Sequence, residues 1–242
     1  MGHRKSGWKF VPVLVPCFLL WVHGAEAEVG SVVVVPNDLI DIEGDFNNTI
    51  PWSDEGPVRY QQVYDGLEVG SIPELKQLRF RQDDFYGSPF SGTIPDVTIV
   101  LSSTAATPDG LSLTFSDNPG ADALTVYSGP LLLTSGLSAT VPRPFDIVLQ
   151  LQNAFAFDGS AGANLLIDVT IAAGPELSSF DAEWIEGDAV SRVFCWTEEQ
   201  CLTGDEAMIA DSVGLVTMFL DARIFLDNFE SGDLTQWTAV VP

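Results

Sequence analysis

The chain has 242 residues, with 34 acidic residues against 10 basic ones and a formal net charge of −24. A surface of this charge repels phosphate groups, which argues against nucleic acid and anionic membrane surfaces as partners. Hydrophobic residues make up 46% of the composition, which is typical of a folded globular protein rather than a disordered one.

Residues 1–27 have the pattern of a secretory signal peptide. Three basic residues precede an apolar run over 10–22, and a small-x-small cleavage site ends at Ala27. The run is shorter than the roughly 20 apolar residues of a membrane span. We therefore predict a secreted or cell-surface protein with no transmembrane span after cleavage. Lipidation at Cys17 is the alternative, although Pro16 stands where a small residue is expected.

Cleavage of the predicted signal peptide would change which charged and reactive side chains the protein retains. The segment holds three of the ten basic residues and one of the 34 acidic ones, which leaves seven against 33. It also holds both histidines, His3 and His23. A mature chain without histidine cannot form a Ser-His-Asp or Cys-His arrangement or a histidine-based zinc site. No nucleotide-binding glycine motif is present either, so the sequence predicts a non-enzymatic protein.

Short apolar runs separated by Gly, Pro, Asn, Asp and Ser predict β-strands. In chain order the predicted strands are 31–35, 58–64, 75–82, 96–102, 124–127, 145–152, 165–171, 189–195 and 215–220. Only 198–210 offers a helical turn or two, and the long segment 30–57 is predicted to wrap over one edge as a loop. Together these predict an all-β fold over 28–223, namely an antiparallel β-sandwich. The jelly roll is one topology that such a sandwich can have. Residues 224–242 form a short acidic and aromatic tail.

Cys195 and Cys201 are the cysteines that remain after cleavage. An exported protein meets an oxidising compartment, so we expect them to form a disulfide. Two thiols alone fall short of the four ligands of a structural zinc site, and a redox pair favours the tighter C-x-x-C spacing.

Acidic loops make Ca²⁺ the cofactor to consider, because hard oxygen ligands in loops suit this ion. The candidate ligands in two of these loops are Asp117, Asn118, Asp122, Asp227, Glu230 and Asp233. A third acidic cluster lies within 38–45. None of the three matches the spaced D-x-[DN]-x-[DN]-G calcium loop, and Asp and Asn also form turns. The sequence leaves open either no cofactor or a structural Ca²⁺ ion.

Aromatic residues in loop-like sequence are candidates for stacking on a sugar ring. Trp52 and Tyr86 are the two that we predict to be exposed ligand-binding residues. Packing in the sandwich core is the alternative for any aromatic side chain.

Several extended segments carry a resemblance to a known group. They are 59–64, 145–149, 164–169, 189–193 and 214–217. In these segments the chain resembles an uncharacterised group of secreted bacterial proteins, many of which carry a PEP-CTERM sorting tail. The resemblance implies an exported β-rich domain, and the group has no known activity to carry over to this chain. This chain has no Pro-Glu-Pro sorting segment; instead 229–237 looks like the F-E-x-G-D-L-x-x-W ending of many secreted bacterial proteins, and a similar string opens some carbohydrate-binding modules.

Three classes of function follow from these features. The leading prediction is a secreted or cell-surface, non-enzymatic β-sandwich with an interaction or extracellular matrix role and an unknown extracellular partner or glycan. The alternative is a carbohydrate-binding module. A glycoside hydrolase that uses a carboxylate pair from Asp181, Glu183 and Glu186 is a third possibility.

Overall fold

The computed structural model describes residues 1–2, 31–136 and 138–222. The predicted tail and the predicted signal peptide, apart from Met1 and Gly2, lie outside these ranges. The strands are β1 (Val32–Val35), β2 (Phe46–Asn48), β3 (Val58–Tyr64), β4 (Ser71–Phe80), β5 (Phe90–Thr104), β6 (Leu124–Ser135), β7 (Ile147–Asp158), β8 (Asn164–Ile171), β9 (Phe180–Trp184), β10 (Val190–Cys195), β11 (Ile209–Asp211), β12 (Val213–Leu215) and β13 (Thr217–Asp221).

Helical structure in the described part of the chain is limited to short pieces. They are one α-helix, α1 (Gly66–Val69), three 3₁₀ turns at Asn37–Leu39, Phe115–Asp117 and Gly159–Ala161, and a π-helical turn at Glu199–Thr203. The last is the helical turn that the sequence suggests within 198–210. Over the described ranges, no helix has the length and apolar character needed to cross a membrane.

Two antiparallel sheets form a sandwich, as predicted. The four-stranded sheet has the order β1-β13-β4-β7, and the six-stranded sheet has the order β11-β10-β3-β8-β5-β6. β10 and β11 extend one edge of the six-stranded sheet, and without them each sheet has four strands. When these eight strands are renumbered 1 to 8 in chain order, the first sheet has the order 1-8-3-6 and the second has the order 2-7-4-5. Consecutive strands thus mostly change sheets, which is the connectivity of a jelly roll.

The core lies between the two sheets because alternate strand residues point inward. β3 pairs with β8 along its whole length, from Val58 opposite Ile171 to Tyr64 opposite Leu165. The Tyr64 ring makes an edge contact with Phe219 of β13, with centroids 4.9 Å apart. One apolar cluster therefore joins both sheets across the sandwich.

A third sheet, with the order β12-β9-β2, was not expected from the sequence. It overturns part of two predictions. The predicted loop over 30–57 contains β2 in addition to the predicted strand 31–35, which is β1, and the predicted strand 215–220 is split between β12 and β13. The split follows from two sets of partners, since Leu215 pairs with Ala182 of β9 whereas Thr217 pairs with Val35 of β1.

A buried glutamine attaches this third sheet to the sandwich. Gln62 of β3 donates from Nε2 to the carbonyl oxygen of Leu215 at 3.0 Å, and its Oε1 accepts from the Leu215 N–H at 2.8 Å. Tyr60 also donates its hydroxyl hydrogen to Gln62 Oε1. Because a buried amide must find its hydrogen bonds inside the protein, this pairing fixes β12 against β3.

Trp52 is buried, so the prediction of an exposed stacking residue at this position is wrong. Only 1% of its surface is exposed, and its ring lies 5.6 Å from that of Phe80. A turn closed by the Ser53 N–H and the Thr49 carbonyl at 2.7 Å places it there. The large apolar area of an indole favours burial even when the surrounding sequence resembles a loop.

Replacing Trp52 with alanine is expected to lower the free energy of unfolding by about 3–5 kcal/mol, because it leaves a cavity in the core. The exposed Tyr86 provides the matched control, and Tyr86→Ala should change that free energy by less than about 0.5 kcal/mol. Urea unfolding followed by circular dichroism measures both. Equal effects of the two substitutions would contradict the buried position of Trp52.

Candidate functional site

The disulfide predicted from the sequence is present. Cys195 ends β10, Cys201 lies in the π-helical turn, and their Cα atoms are 5.6 Å apart. Both cysteines pack with Phe115, Val193 and Ala207 on the outer face of the six-stranded sheet. The bridge therefore holds the segment after β10 against the sandwich.

Asn118, a predicted calcium ligand, is a buried structural residue. Its Nδ2 donates to Gln61 Oε1 at 2.8 Å and to the Ser112 carbonyl at 2.9 Å. Its Oδ1 accepts from the Ser112 N–H at 2.8 Å. The amide thus fastens the loop between β5 and β6 to the sheet, and this role accounts for its place in the sequence.

The other calcium candidates in this loop also bond to the protein. Asp117 Oδ2 accepts from Ser112 Oγ at 3.3 Å, and Asp122 Oδ1 accepts from the Ser103 N–H at 2.9 Å. In the described part of the chain, no three His, Cys, Asp or Glu residues are grouped so that they could hold a metal ion. Asp227, Glu230 and Asp233 lie outside the described residues, so a calcium site there stays a prediction.

Arg81 and Asp181 form a fully buried ion pair between the end of β4 and the third sheet. Arg81 Nε lies 2.6 Å from Asp181 Oδ2, and Glu43 Oε2 lies 3.8 Å from the same Nε. Burial raises the pKa of Asp181, although the Arg81 guanidinium lowers it. A carboxylate sealed in this way cannot contact a substrate.

Of the three candidate hydrolase carboxylates, Glu186 alone is exposed. Asp181 is sealed in its ion pair, and Glu183 is buried, with its Oε2 accepting from the Asp45 N–H at 2.9 Å. Burial raises the pKa of Glu183. The three residues therefore do not form an open pair of carboxyl groups across a cleft, as glycoside hydrolysis requires.

Tyr86 lies in a turn over residues 83–87, which we call the aromatic turn. Asp83 Oδ1 accepts from the N–H groups of Phe85 at 3.1 Å and Tyr86 at 2.5 Å. Gly87 closes the turn, and a Cβ there would lie 2.3 Å from the Asp83 carbonyl oxygen. Phe85 is 80% exposed and Tyr86 is 63% exposed, with ring centroids 4.8 Å apart. The turn thus fixes two adjacent aromatic rings in solvent.

Another exposed aromatic residue, Trp184, ends β9. Trp184 is 56% exposed, and its ring meets that of Phe46 edge-on at 5.0 Å. The Trp184 N–H donates to Asp45 Oδ1 at 2.9 Å. The Asp45 bond therefore holds the strand end, and the indole contacts Phe46 while most of it remains accessible.

A small cleft, which we call the edge cleft, lies where the chain leaves β11 and enters β12. Its volume is about 160 Å³. The residues that line it combine acidic, hydroxyl and apolar groups around one arginine: Asp109, Leu111, Glu186, Ser191, Arg192, Ala210, Asp211 and Ser212. They come from four separate parts of the chain, which the fold brings together.

Arg192 contributes to the floor of the edge cleft and is 7% exposed. Its Nε and Nη2 donate to the two carboxylate oxygens of Asp211 at 2.7 and 3.0 Å, and its guanidinium lies 4.5 Å from the centroid of the Phe194 ring. Its Nη1 is buried and has no hydrogen-bond partner among the described residues. The two N–H groups on Nη1 therefore lack an acceptor within the described part of the chain.

Asp109 forms one wall of the edge cleft in an unusual backbone conformation. Its φ angle is 60°, in the left-handed region that a residue other than glycine seldom adopts. Its N–H donates to Ser191 Oγ at 2.7 Å, and its Oδ2 accepts from the Gly187 N–H at 2.7 Å. These two bonds tie three segments of the wall together.

No family model, curated protein or solved structure matches the chain. The resemblance to secreted bacterial proteins therefore stays a prediction, and the site rests on its own geometry. Sequence reasoning missed the edge cleft because its residues are far apart in the chain. One signal was available: Arg192 interrupts an apolar strand, and a charge in such a place needs a buried partner.

Asp188 lies in the turn between β9 and β10. Its Oδ1 accepts from the Val190 N–H at 2.9 Å, and its Oδ2 is buried without a hydrogen-bond partner among the described residues. The pKa of Asp188 is raised to about 7, mainly by burial. The hydrogen bond from the Val190 N–H lowers this pKa, and the neighbouring carboxylates Glu183, Asp109 and Glu68 contribute to raising it.

The raised pKa of Asp188 predicts how the stability of the protein depends on pH. The unfolded chain releases this proton near pH 4, so the folded state binds it more tightly between about pH 4 and 7. The charged form of Asp188 therefore destabilises the fold above pH 7, and this penalty disappears as the pH falls. Asp188→Asn, which keeps an acceptor for the Val190 N–H, should melt at a higher temperature than the unsubstituted protein at pH 8.

The difference in melting temperature between Asp188→Asn and the unsubstituted protein should shrink towards pH 4. Thermal unfolding at pH 8, 7, 6, 5 and 4 measures it. Asp96→Asn, at an exposed position, controls for the loss of one negative charge and should shift the melting temperature little at any pH. A difference for Asp188→Asn that grows as the pH falls would contradict the raised pKa.

Proposed function

We propose that this protein is an exported, non-enzymatic β-sandwich protein that binds an extracellular partner, with an interaction or matrix role. Export is supported by the N-terminal pattern of residues 1–27. The Cys195–Cys201 bridge is consistent with it, because disulfides persist in oxidising compartments.

The exposed rings of the aromatic turn carry this proposal. Large aromatic side chains are enriched where proteins bind other molecules, and rigid ones lose little conformational entropy on binding. Phe85 and Tyr86 are both largely exposed, and the Asp83 carboxylate fixes their backbone. Arg143 supports the turn from outside by donating from Nη2 to the Asp84 carbonyl at 3.1 Å. The backbone of the aromatic turn is thus already ordered before a partner binds, whereas a flexible loop would have to become ordered on binding.

The non-enzymatic part of the proposal rests on the chemistry that the chain offers. Both histidines precede the predicted cleavage site, so histidine-based acid–base catalysis has no candidate in the mature chain. Carboxylates are the most numerous of the remaining acid–base groups, and two of the three hydrolase candidates, Asp181 and Glu183, are buried and hydrogen-bonded.

Carbohydrate binding is the second candidate function. It is favoured by Trp184, whose indole is exposed at the end of β9, where the Asp45 carboxylate accepts from the Trp184 backbone N–H. An indole offers a broad apolar face with a fixed orientation, and the apolar face of a sugar ring can stack on it. The net charge of −24 suits a neutral glycan better than an anionic one.

Replacing both rings of the aromatic turn tests the leading proposal. We expect the double substitution Phe85→Ser/Tyr86→Ser to weaken binding of the exported protein to washed cells or extracellular matrix of its source organism by about tenfold or more. Leu67→Ser is the matched control, because Leu67 is a 79% exposed apolar residue on α1, away from the turn. Quantitative pull-down with fluorescently labelled protein measures the apparent Kd.

Two outcomes would contradict the proposal. One is binding that the double substitution leaves unchanged, which would exclude the aromatic turn as the contact. The other is an equal loss with Leu67→Ser, which would indicate nonspecific hydrophobic adhesion. Circular dichroism of each variant must show an unchanged fold, as expected for exposed positions.

A further inference from the structure

We infer that the aromatic turn is part of a larger docking surface for a basic segment of another protein, in which lysine or arginine residues flank apolar side chains. The surface consists of Ile42, Phe85, Tyr86 and Val141, which we call the apolar crown. This inference rests on the leading proposed function, because it names the contact surface and the class of partner.

The apolar crown exposes large side chains from three separate loops. Ile42 lies between β1 and β2, Phe85 and Tyr86 follow β4, and Val141 lies between β6 and β7. Like the two aromatic residues, Ile42 and Val141 are largely exposed, by 55% and 66%. Single exposed apolar side chains are ordinary, whereas a group of them on one surface marks a site of interaction.

Arg143 brings the three loops of the apolar crown together. Its backbone N–H donates to Oε1 of Glu43, the residue after Ile42. Its Nη2 donates to the carbonyl oxygen of Asp84, the residue before Phe85, at 3.1 Å. Arg143 itself lies in the third loop. The crown residues are therefore neighbours in space, although they are far apart in the chain.

The buried Arg81 supports the apolar crown from inside the fold. Its Nη2 donates to the Ile42 carbonyl oxygen, and its guanidinium lies 4.7 Å from the centroid of the Phe145 ring, in the loop that carries Val141. The ion pair with Asp181 holds this guanidinium at 2.6 Å. Two of the three loops are thus fixed before a partner arrives, which reduces the entropy lost on binding.

The charges around the apolar crown indicate a basic partner. Asp41 and Asp84 are exposed, and each is the neighbour in sequence of a crown residue. Over residues 31–136 and 138–222, every lysine and arginine is buried or half-buried, and none is exposed. Lysine or arginine residues of a partner would pair with these carboxylates and could also lie over the exposed rings of Phe85 and Tyr86.

Other occupants match the apolar crown less well. A second copy of this chain would place like charges against each other, and anionic lipid would be repelled. Zwitterionic lipid could cover the apolar side chains but would remove Asp41 and Asp84 from water without a partner of opposite charge. A basic polypeptide that also carries apolar side chains satisfies both parts of the surface.

Synthetic peptides of equal length test the class of partner. One combines Lys with Trp and Leu, and the others combine Lys with Ser, Ser with Trp and Leu, or Glu with Trp and Leu. Calorimetry with the full chain measures each Kd. We expect the basic apolar peptide to bind about tenfold or more tightly than each of the others, and added NaCl to weaken its binding.

Neutralising the exposed carboxylates tests the charged part of the surface. Asp41→Asn/Asp84→Asn should weaken binding of the basic apolar peptide about threefold or more and reduce its salt dependence. Glu74→Gln/Asp96→Asn is the matched control, because it removes two exposed carboxylates on β4 and β5. The control should change the Kd by less than about twofold.

Replacing the aliphatic side chains tests whether the surface extends beyond the aromatic turn. Ile42→Ser/Val141→Ser should weaken binding of the basic apolar peptide about fivefold or more. Leu67→Ser/Leu132→Ser, which also removes two exposed apolar side chains, should leave the Kd unchanged. The melting temperature of each variant reports on its fold.

Binding to washed cells of the source organism separates this inference from the leading proposed function. Trypsin, which cleaves after lysine and arginine, is applied to the cells and inactivated before the protein is added. We expect the treatment to abolish most of the binding. Binding that survives trypsin would exclude a basic polypeptide as the partner but keep the proposed function. Failure to bind untreated cells or matrix would exclude both.

Two further results would overturn the inference. If the peptide of Lys and Ser binds as tightly as the basic apolar peptide, net charge alone drives binding and the apolar crown has no part in it. If no peptide binds but phosphatidylcholine vesicles do, and Ile42→Ser/Val141→Ser abolishes that binding, the surface contacts lipid and the class of partner proposed here is wrong.

Discussion

The buried Arg81–Asp181 ion pair is the interaction on which the candidate site depends. It joins the end of β4 in the sandwich to β9 in the third sheet at 2.6 Å, with both side chains excluded from solvent. Removing one partner of such a pair leaves an uncompensated buried charge, which costs about 3–5 kcal/mol. The exposed Trp184, the cleft residue Glu186 and the titrating Asp188 all follow Asp181 within one strand and one turn. The ion pair therefore anchors the start of the segment that carries them.

Three arginines of this acidic protein each pair with an aspartate and lie over a phenylalanine ring. Arg59 pairs with Asp168 at 3.0 Å, Arg81 with Asp181 at 2.6 Å and Arg192 with Asp211 at 2.7 Å. Each guanidinium also lies over a phenylalanine ring, at 4.4, 4.7 and 4.5 Å in the same order. Because these cations are engaged inside the fold, they do little to offset the carboxylates at the surface. The large negative charge is thus a surface property that favours solubility and disfavours anionic partners.

The strands of the sandwich were predictable where hydrophobic periodicity is strong. The predicted strand 58–64 has the bounds of β3, and 165–171 differs from β8 by one residue. The prediction for β6 ended at residue 127 because Gly129 and Pro130 are typical of a turn. In the structure both residues lie inside the strand, which continues to Ser135. β2 was missed because Phe46-Asn47-Asn48 has the composition of a turn and is too short to alternate. The exposure of Tyr86 follows from a local turn and could be predicted, whereas the burial of Trp52 and the edge cleft depend on contacts between distant segments.

The position of the edge cleft follows from how a jelly roll fills its interior. Alternate residues of both main sheets meet in one close-packed cluster, and interiors of this density leave little room for a ligand. Binding must then occur at turns, on an outer face, or where the chain passes from one sheet to another. Ser212 is the single residue between β11 of the six-stranded sheet and β12 of the third sheet. At that passage the Asp211 carboxylate bonds to Arg192 on one strand and to the Val213 backbone on the next. The edge cleft therefore lies at the passage between two sheets, outside the packed core, and hydrogen bonds hold the polar groups that line it.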